Sequence, residues 1–331
     1  MLYWLDMALI YVTRKIPVVG IAALQAAGHE LIMSEKDGVL TPEELTTALA
    51  QRPYEGVVSL LTDTITPAVL AAAPTVKIVA NYAVGFNNID VKGLAENDIV
   101  VTNTPDVLTD AVVEFTVALL LSVVKRIPEA DRFTRAGKFQ GWAPELLLGS
   151  ELTGKTLGVV GAGRIGLAVA KCLQQGFNMR VIYTDLKPSA ELDALGCAYY
   201  QSLDELLVAA DVVTVHVPLL PATTHLIDAQ RLSLMKPTAY LINTARGPVI
   251  DEVALVEALR TNVIAGAGLD VFEHEPELAP GLAELENVVI TPHIASASQE
   301  TRNKMSSMVA ENLNTFFAGQ TPPNVVTPRP E

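Results

Sequence analysis

Residues 156–185 read TLGVVGAGRIGLAVAKCLQQGFNMRVIYTD. The apolar run Leu157 to Val160 has the length and composition of a buried strand. Gly161, Gly163 and Gly166 follow it at G-x-G-x-x-G spacing, and Ile165 to Cys172 then reads as a helix. A second apolar run, Met179 to Tyr183, leads to Asp185. Each part has a physical task. Gly161 permits a tight turn, Gly163 lets the backbone approach a pyrophosphate, and Gly166 lets helix and strand pack closely. The helix N-terminus attracts the phosphates, and Asp185 can accept hydrogen bonds from ribose hydroxyls. A glycine triplet alone also marks ordinary turns. Here strand, glycines, helix, second strand and acid fall in register, which predicts a dinucleotide site.

The rest of the chain sets the frame around this unit. Its 331 residues allow two domains at roughly 150 residues each. Half the residues are hydrophobic and 18% are charged, so a sizeable core is available. The formal net charge of −14 disfavours binding to nucleic-acid phosphates or to anionic lipid. Cys172 and Cys197 are the only cysteines, which fits a reduced cytosol and a cytoplasmic protein. The apolar run at residues 1–12 contains Asp6, is followed rather than preceded by basic residues, and is shorter than a membrane helix. The first strand is expected within it, at 8–13, with an extension or a misplaced start before Met7.

Upstream of the glycine unit, strands are expected at 8–13, 30–33, 57–61, 77–81 and 100–103. They alternate with helices at 17–27, 42–51 and 67–72. This alternation predicts a parallel sheet covered by helices. Thr41-Pro42-Glu43-Glu44 is a helix start, with proline in the first turn and acids beside it. Residues 110–125 read as a long, largely apolar helix, and 126–155 as an irregular excursion. Downstream, strands are expected near 198–200, 212–217, 239–242, 264–269 and 287–290. A last helix over 299–317 would return to the first domain, and the Pro-rich tail from Thr321 is expected to be loosely ordered. The fold class is α/β with two doubly wound parallel sheets. The domains are 1–103 with 295–331, discontinuous, and an inserted nucleotide domain at 104–294.

Four strand ends in the second half carry polar residues where an open sheet places its ligands. They are Val215-His216-Val217-Pro218, Ile242-Asn243-Thr244-Ala245-Arg246-Gly247, Gly268-Leu269-Asp270-Val271-Phe272-Glu273-His274-Glu275-Pro276 and Thr291-Pro292-His293-Ile294. Hydride transfer to a keto acid needs a cation for the carboxylate, ideally a bidentate guanidinium. It also needs a proton donor for the developing alkoxide and a charge that favours the donor's protonated form. Arg246, His293 and a glutamate can supply these. Spacing alone does not choose between Glu273 and Glu275, and both could be solvated. His225 and His274 have no context that singles them out. No His/Cys cluster has metal-ligand spacing, so no metal is expected.

With these segments assembled, the chain resembles the D-2-hydroxyacid dehydrogenase family, and within it the glyoxylate/hydroxypyruvate reductases. The resemblance spans about 8–324. It rests on NYAVGFNNID at 81–90, TNTPDVLTD at 102–110, GAGRIG at 161–166, INTARGPVID at 242–251, LDVFEHEP at 269–276 and TPHIAS at 291–296. It implies a Rossmann-type nucleotide domain inserted into a flavodoxin-like substrate domain. It assigns substrate binding to Arg246, the acid/base to His293, and the partner of that histidine to Glu275 rather than Glu273. Further substrate contacts are implied at Leu61, Val84 and Gly85, and at Trp142 reaching a partner subunit. The implied cofactor set is Gly161, Gly163, Arg164, Ile165, Gly166, Asp185, His216, Pro218, Thr244 and Asp270.

Two departures matter. Ala295 stands where the family usually has glycine. Asp185 stands where many NADP-using reductases carry a small residue followed by arginine, so NAD(H) is expected to be preferred and NADP(H) remains possible. The expected reaction is reduction of glyoxylate or hydroxypyruvate to the 2-hydroxy acid by a homodimer joined through the nucleotide domain. The alternatives are another D-2-hydroxyacid dehydrogenase, a phosphite dehydrogenase or an NAD-sensing corepressor-like protein. Phosphite dehydrogenases share the 138–142 pattern but place lysine where Val84 stands.

Overall fold

The structure is a computed structural model that describes residues 7–328. The extension expected before Met7 lies outside the described residues. The chain divides into two compact units, residues 1–108 with 297–331 and residues 109–296. The division falls slightly later in the chain than the boundaries expected from sequence.

In the first unit the order is β1 (Leu9–Val12), α1 (Val18–Ala26), β2 (Glu30–Met33), α2 (Pro42–Leu49), β3 (Gly56–Leu60), α3 (Pro67–Leu70), β4 (Ile78–Tyr82), α4 (Val91–Ala95) and β5 (Val100–Thr102). The second unit contributes α5 (Thr109–Val124), α6 (Ile127–Arg135), β6 (Thr156–Val160), α7 (Arg164–Phe177), β7 (Arg180–Thr184), α8 (Ala190–Ala194) and β8 (Ala198–Tyr199). It continues with α9 (Leu203–Ala209), β9 (Val212–Val215), α10 (Ala229–Leu234), β10 (Tyr240–Asn243), α11 (Glu252–Arg260), β11 (Gly266–Leu269) and β12 (Val288–Ile290). The closing helix α12 (Gln299–Phe317) returns to the first unit.

Both sheets are parallel. The first has order β2-β1-β3-β4-β5, the flavodoxin-like arrangement. The second has order β12-β11-β10-β9-β6-β7-β8, so chain direction across the sheet reverses at β6. That reversal opens a crevice at the carboxyl ends of β6 and β9, where open α/β sheets take their ligands. Strand β6 is buried along its whole length and pairs with β7 and β9 in register, Val160 opposite both Thr184 and Val215. Helix α2 starts as expected, with a reciprocal cap between Thr41 and Glu44 and Pro42 in the first turn.

Two readings change. Residues 126–155 are not wholly irregular, because 127–135 form α6. Its start is fixed by Arg126 in the left-handed region, bidentate to Glu129 at 2.7 Å. Pro128 and the charged residues of this nine-residue run read as loop, although its few apolar residues recur at helical spacing. The tail is not loose over 324–326 either. Val326 N–H donates to Val101 O (2.8 Å), Val325 bridges Thr102, and Asn324 is held by Asn312 (3.1 Å).

Candidate active site

The glycine corner is built from backbone. Gly161 has φ +99°, and a side chain there would meet the His216 backbone at 2.8 Å. A Cβ on Gly166 would run into the carbonyl oxygen of Gly161. A Cβ on Gly163 would meet nothing, so the space above it is open. Gly163 is also the N-cap of α7, and no side chain caps that end. Four helical N–H groups at such an end lack intrahelical partners, which suits a pyrophosphate. Arg164 and Ile165 are the first residues of α7. At the end of β7, Asp185 Oδ2 accepts the Ala162 N–H (2.6 Å) and Oδ1 the Leu186 N–H (2.6 Å). Its carboxylate is thereby held at the rim of the same corner. The residues present fit a dinucleotide.

His216 ends β9 beneath this corner, its Nε2 at 2.8 Å from Thr214 Oγ1. Burial lowers its pKa to about 3, so the ring is neutral at physiological pH. Pro218 lies exposed just beyond. Thr244 Oγ1 lies 2.9 Å from Thr116 Oγ1. Thr116 already donates to Val112 O (2.7 Å), so Thr244 is the donor of that pair. Thr116 was not singled out by sequence, because a threonine inside an apolar helix carries no motif.

A second corner is built from charged side chains on the loops after β10, β11 and β12. His293 Nδ1 lies 2.9 and 3.1 Å from the two oxygens of Glu275. Their side chains are 24% and 31% exposed, so the pair is partly withdrawn from water. Burial pushes the Glu275 carboxyl up. The hydrogen bond and charge of His293, the Phe272 N–H and the charge of Arg246 outweigh it and hold the group below the usual carboxylate range. His293 has φ +53°, rare for a non-glycine residue. Its N–H donates to Asp270 O (2.8 Å). Asp270 is fully buried and accepts from Thr291 Oγ1 (2.7 Å), Ile294 N–H (2.9 Å) and Ala295 N–H (2.7 Å). That set of bonds shapes the turn bearing His293. Ala295, one of the two departures noted from sequence, thus bonds Asp270 through its N–H.

Arg246 follows β10 in a loop closed by Asn243. The Asn243 amide donates to Arg246 O (2.9 Å), and its carbonyl accepts the Ala245 N–H (3.0 Å). Burial lowers the Arg246 pKa while the charge of Glu275 opposes the shift. Arg246, Glu275 and His293 are thus brought together.

Glu273, which could have been solvated, is instead paired with His225 at 2.6 Å. Sequence gave no signal for that pair, since the partners lie in separate loops. In the first unit, Leu61, Val84 and Gly85 lie just beyond the carboxyl ends of β3 and β4. Asn103 Nδ2 holds Val84 O (2.8 Å) and Asn81 Nδ2 holds Gly85 O (3.0 Å). Trp142 is 86% exposed, in a segment that also exposes Phe139 and Leu148. Among the described residues, no group of three or more His, Cys, Asp or Glu could hold a metal ion. Among the described residues, no helix is long and apolar enough to cross a membrane.

Residues 117–295 match the family model described as D-isomer specific 2-hydroxyacid dehydrogenase, NAD binding domain. A glyoxylate reductase of Thermofilum pendens is 46% identical over 321 residues, covering 96% of this chain and 94% of the relative. A glyoxylate reductase of Aeropyrum pernix is 48% identical, covering 86% and 87%. Among solved structures, the NADPH-dependent glyoxylate/hydroxypyruvate reductase of Sinorhizobium meliloti, in complex with NADP and malonate, superposes with TM-score 0.85. It is 36% identical and covers 97% of each chain.

Proposed function

This chain belongs to the D-isomer-specific 2-hydroxyacid dehydrogenases, an oxidoreductase family that uses nicotinamide dinucleotides, and we propose that its own reaction is the reduction of glyoxylate or hydroxypyruvate to the 2-hydroxy acid. The observation that carries this reading is the His293–Glu275 pair beside Arg246, on the same sheet edge as the glycine corner. A nicotinamide bound in that corner supplies the hydride. Arg246 clamps the substrate carboxylate through its guanidinium. His293 gives a proton to the keto oxygen from Nε2, because Nδ1 is engaged by Glu275. Glu275 orients the ring through its two contacts with Nδ1. Asp270 is assigned to the cofactor. In the first unit, Leu61 and the backbone of Val84 and Gly85 are assigned to substrate contact.

We assign NAD(H) as the preferred cofactor on the strength of Asp185. The pair of unlinked cysteines supports a cytosolic setting. The exposed apolar residues around Trp142 support a homodimer joined through the second unit. On this reading sedimentation at micromolar concentration gives a dimer, and Trp142→Ala raises the KM for hydroxypyruvate more than for glyoxylate. A fully active monomer would remove the dimer from the proposal.

The deciding experiment follows loss of reduced nicotinamide absorbance with glyoxylate, hydroxypyruvate and pyruvate, and its gain from NAD with phosphite. Turnover with the first two is expected. NADH binding without turnover on any substrate would favour the sensing protein instead, and turnover with phosphite alone would favour the phosphite dehydrogenase.

A further inference from the structure

We propose that Glu252, Glu273 and His225 are positioning residues for this reduction: together they fix the turn that presents Glu275 against the loop that presents Arg246. The inference rests on the reading of the site just given.

Glu275 sits in a turn closed by a bridge between His274 and Glu277, the Glu277 N–H donating to His274 O (2.9 Å). Both feet of that turn stand on one carboxylate. Glu252 Oε2 accepts the Glu273 N–H (2.6 Å), and Glu252 Oε1 accepts the Ala279 N–H (2.8 Å). Glu252 is only 5% exposed, an unusual place for a carboxylate unless its oxygens are engaged. It is the first residue of α11, where the helix end favours negative charge. The contact is reciprocal, because Glu273 Oε2 accepts the Glu252 N–H (3.2 Å).

The other oxygen of Glu273 binds a third segment. His225 Nε2 lies 2.6 Å from Glu273 Oε1. Its own N–H donates to Pro248 O (2.8 Å), and Ile227 N–H donates to Val249 O (3.1 Å). Pro248 and Val249 follow Gly247, and Gly247 follows Arg246. Gly247 has no room for a side chain, because the Phe272–Glu273 peptide lies where a Cβ would go. The loops of Arg246 and Glu275 are therefore pressed together at Gly247 and tied on the far side by His225 and Glu273. Shifts of about 1 Å in such spacing are costly to transfer reactions. Neither Glu252, Glu273 nor His225 has to touch substrate to matter.

The test compares His225→Ala, Glu273→Gln and Glu252→Gln with Glu275→Gln and Arg246→Lys. In the first three, KM for glyoxylate should rise about 10-fold while the NADH Kd stays within about twofold. His225→Gln, whose amide can donate to Glu273, should recover most of the lost KM. His225 is largely exposed, so His225→Ala should fold even if the buried Glu252→Gln does not. A merely stabilising pair would lower the melting temperature and leave KM unchanged. Parental KM in both His225→Ala and Glu273→Gln, with Glu275→Gln and Arg246→Lys impaired, overturns the brace and leaves the site reading standing. Parental kinetics in Glu275→Gln and Arg246→Lys overturn both.

Discussion

At the carboxyl edge of the seven-stranded sheet, the loop after β6 offers backbone: a left-handed glycine, an uncapped helix end and an open space above Gly163. The loops after β10, β11 and β12 offer charge: Arg246, Glu275 and His293, held by bonds from Asn243, Phe272 and Asp270. One corner works by what its residues lack, and the other by what they carry. The two should therefore fail under opposite kinds of substitution. A conservative change of charge should cripple the second, and an added methyl group should cripple the first.

The largest effect is expected from Arg246→Lys. The ammonium keeps the charge but loses the planar fork that a carboxylate accepts in two bonds. We expect kcat/KM for glyoxylate to fall by at least ~100-fold, about 2.7 kcal/mol of transition-state stabilisation. Steady-state kinetics at saturating NADH measure it. A lysine variant with near-parental kinetics would mean that charge alone serves at this corner.

At the glycine corner the matching change is Gly163→Ala. Gly163 has φ −71°, which alanine adopts freely, and its Cβ would meet nothing. Thermal melting should stay within ~1 °C of the parent, whereas NADH Kd should rise about 30-fold, roughly 2 kcal/mol. Gly166→Ala is the control, since its Cβ meets the Gly161 carbonyl and should lower stability outright. Unchanged NADH affinity in Gly163→Ala would show that the pyrophosphate does not pass over this residue.

Asp185 is the acid at the glycine corner, and it brings the two designs together. NADPH would place a phosphate near a carboxylate already fixed by Ala162 and Leu186. We expect NADH to be favoured at least ~10-fold in kcat/KM, about 1.4 kcal/mol, with Asp185→Ser narrowing the ratio. A parental preference for NADPH would assign the choice to Lys187 or to another basic residue.

What could be read from sequence followed the same division. The glycine corner was legible because strand, triplet, helix and acid are local and in register from 156 to 185. The charged triad needed more. Arg246 and His293 stood at strand ends, but only resemblance chose Glu275 over Glu273, since both glutamates belong to one short run. The structure separates them by partner, His293 for one and His225 for the other. Nothing local signals Glu252, which reads as an ordinary acid in a first helical turn. Its function depends on two amides more than 20 residues away. Helix α6 was missed because Pro128 and the charges around it read as loop, although Ile127, Ala130 and Phe133 recur at helical spacing.

The smallest effect concerns the ring beneath the glycine corner. His216 has its pKa lowered to about 3 by burial, against 6.5 for an unperturbed histidine. Between those values the unfolded chain binds a proton that the folded chain refuses. Stability from the neutral ring is therefore full above pH 6.5 and is lost progressively as pH falls toward about 3. His216→Gln removes this linkage while leaving a polar group near Thr214. Going from neutral pH to about pH 5.7, the parent should lose on the order of 1 kcal/mol more than the variant, or ~2 °C in Tm. Scanning calorimetry at both pH values for both proteins measures the difference. Parallel pH dependences would mean that the ring takes up its proton while folded.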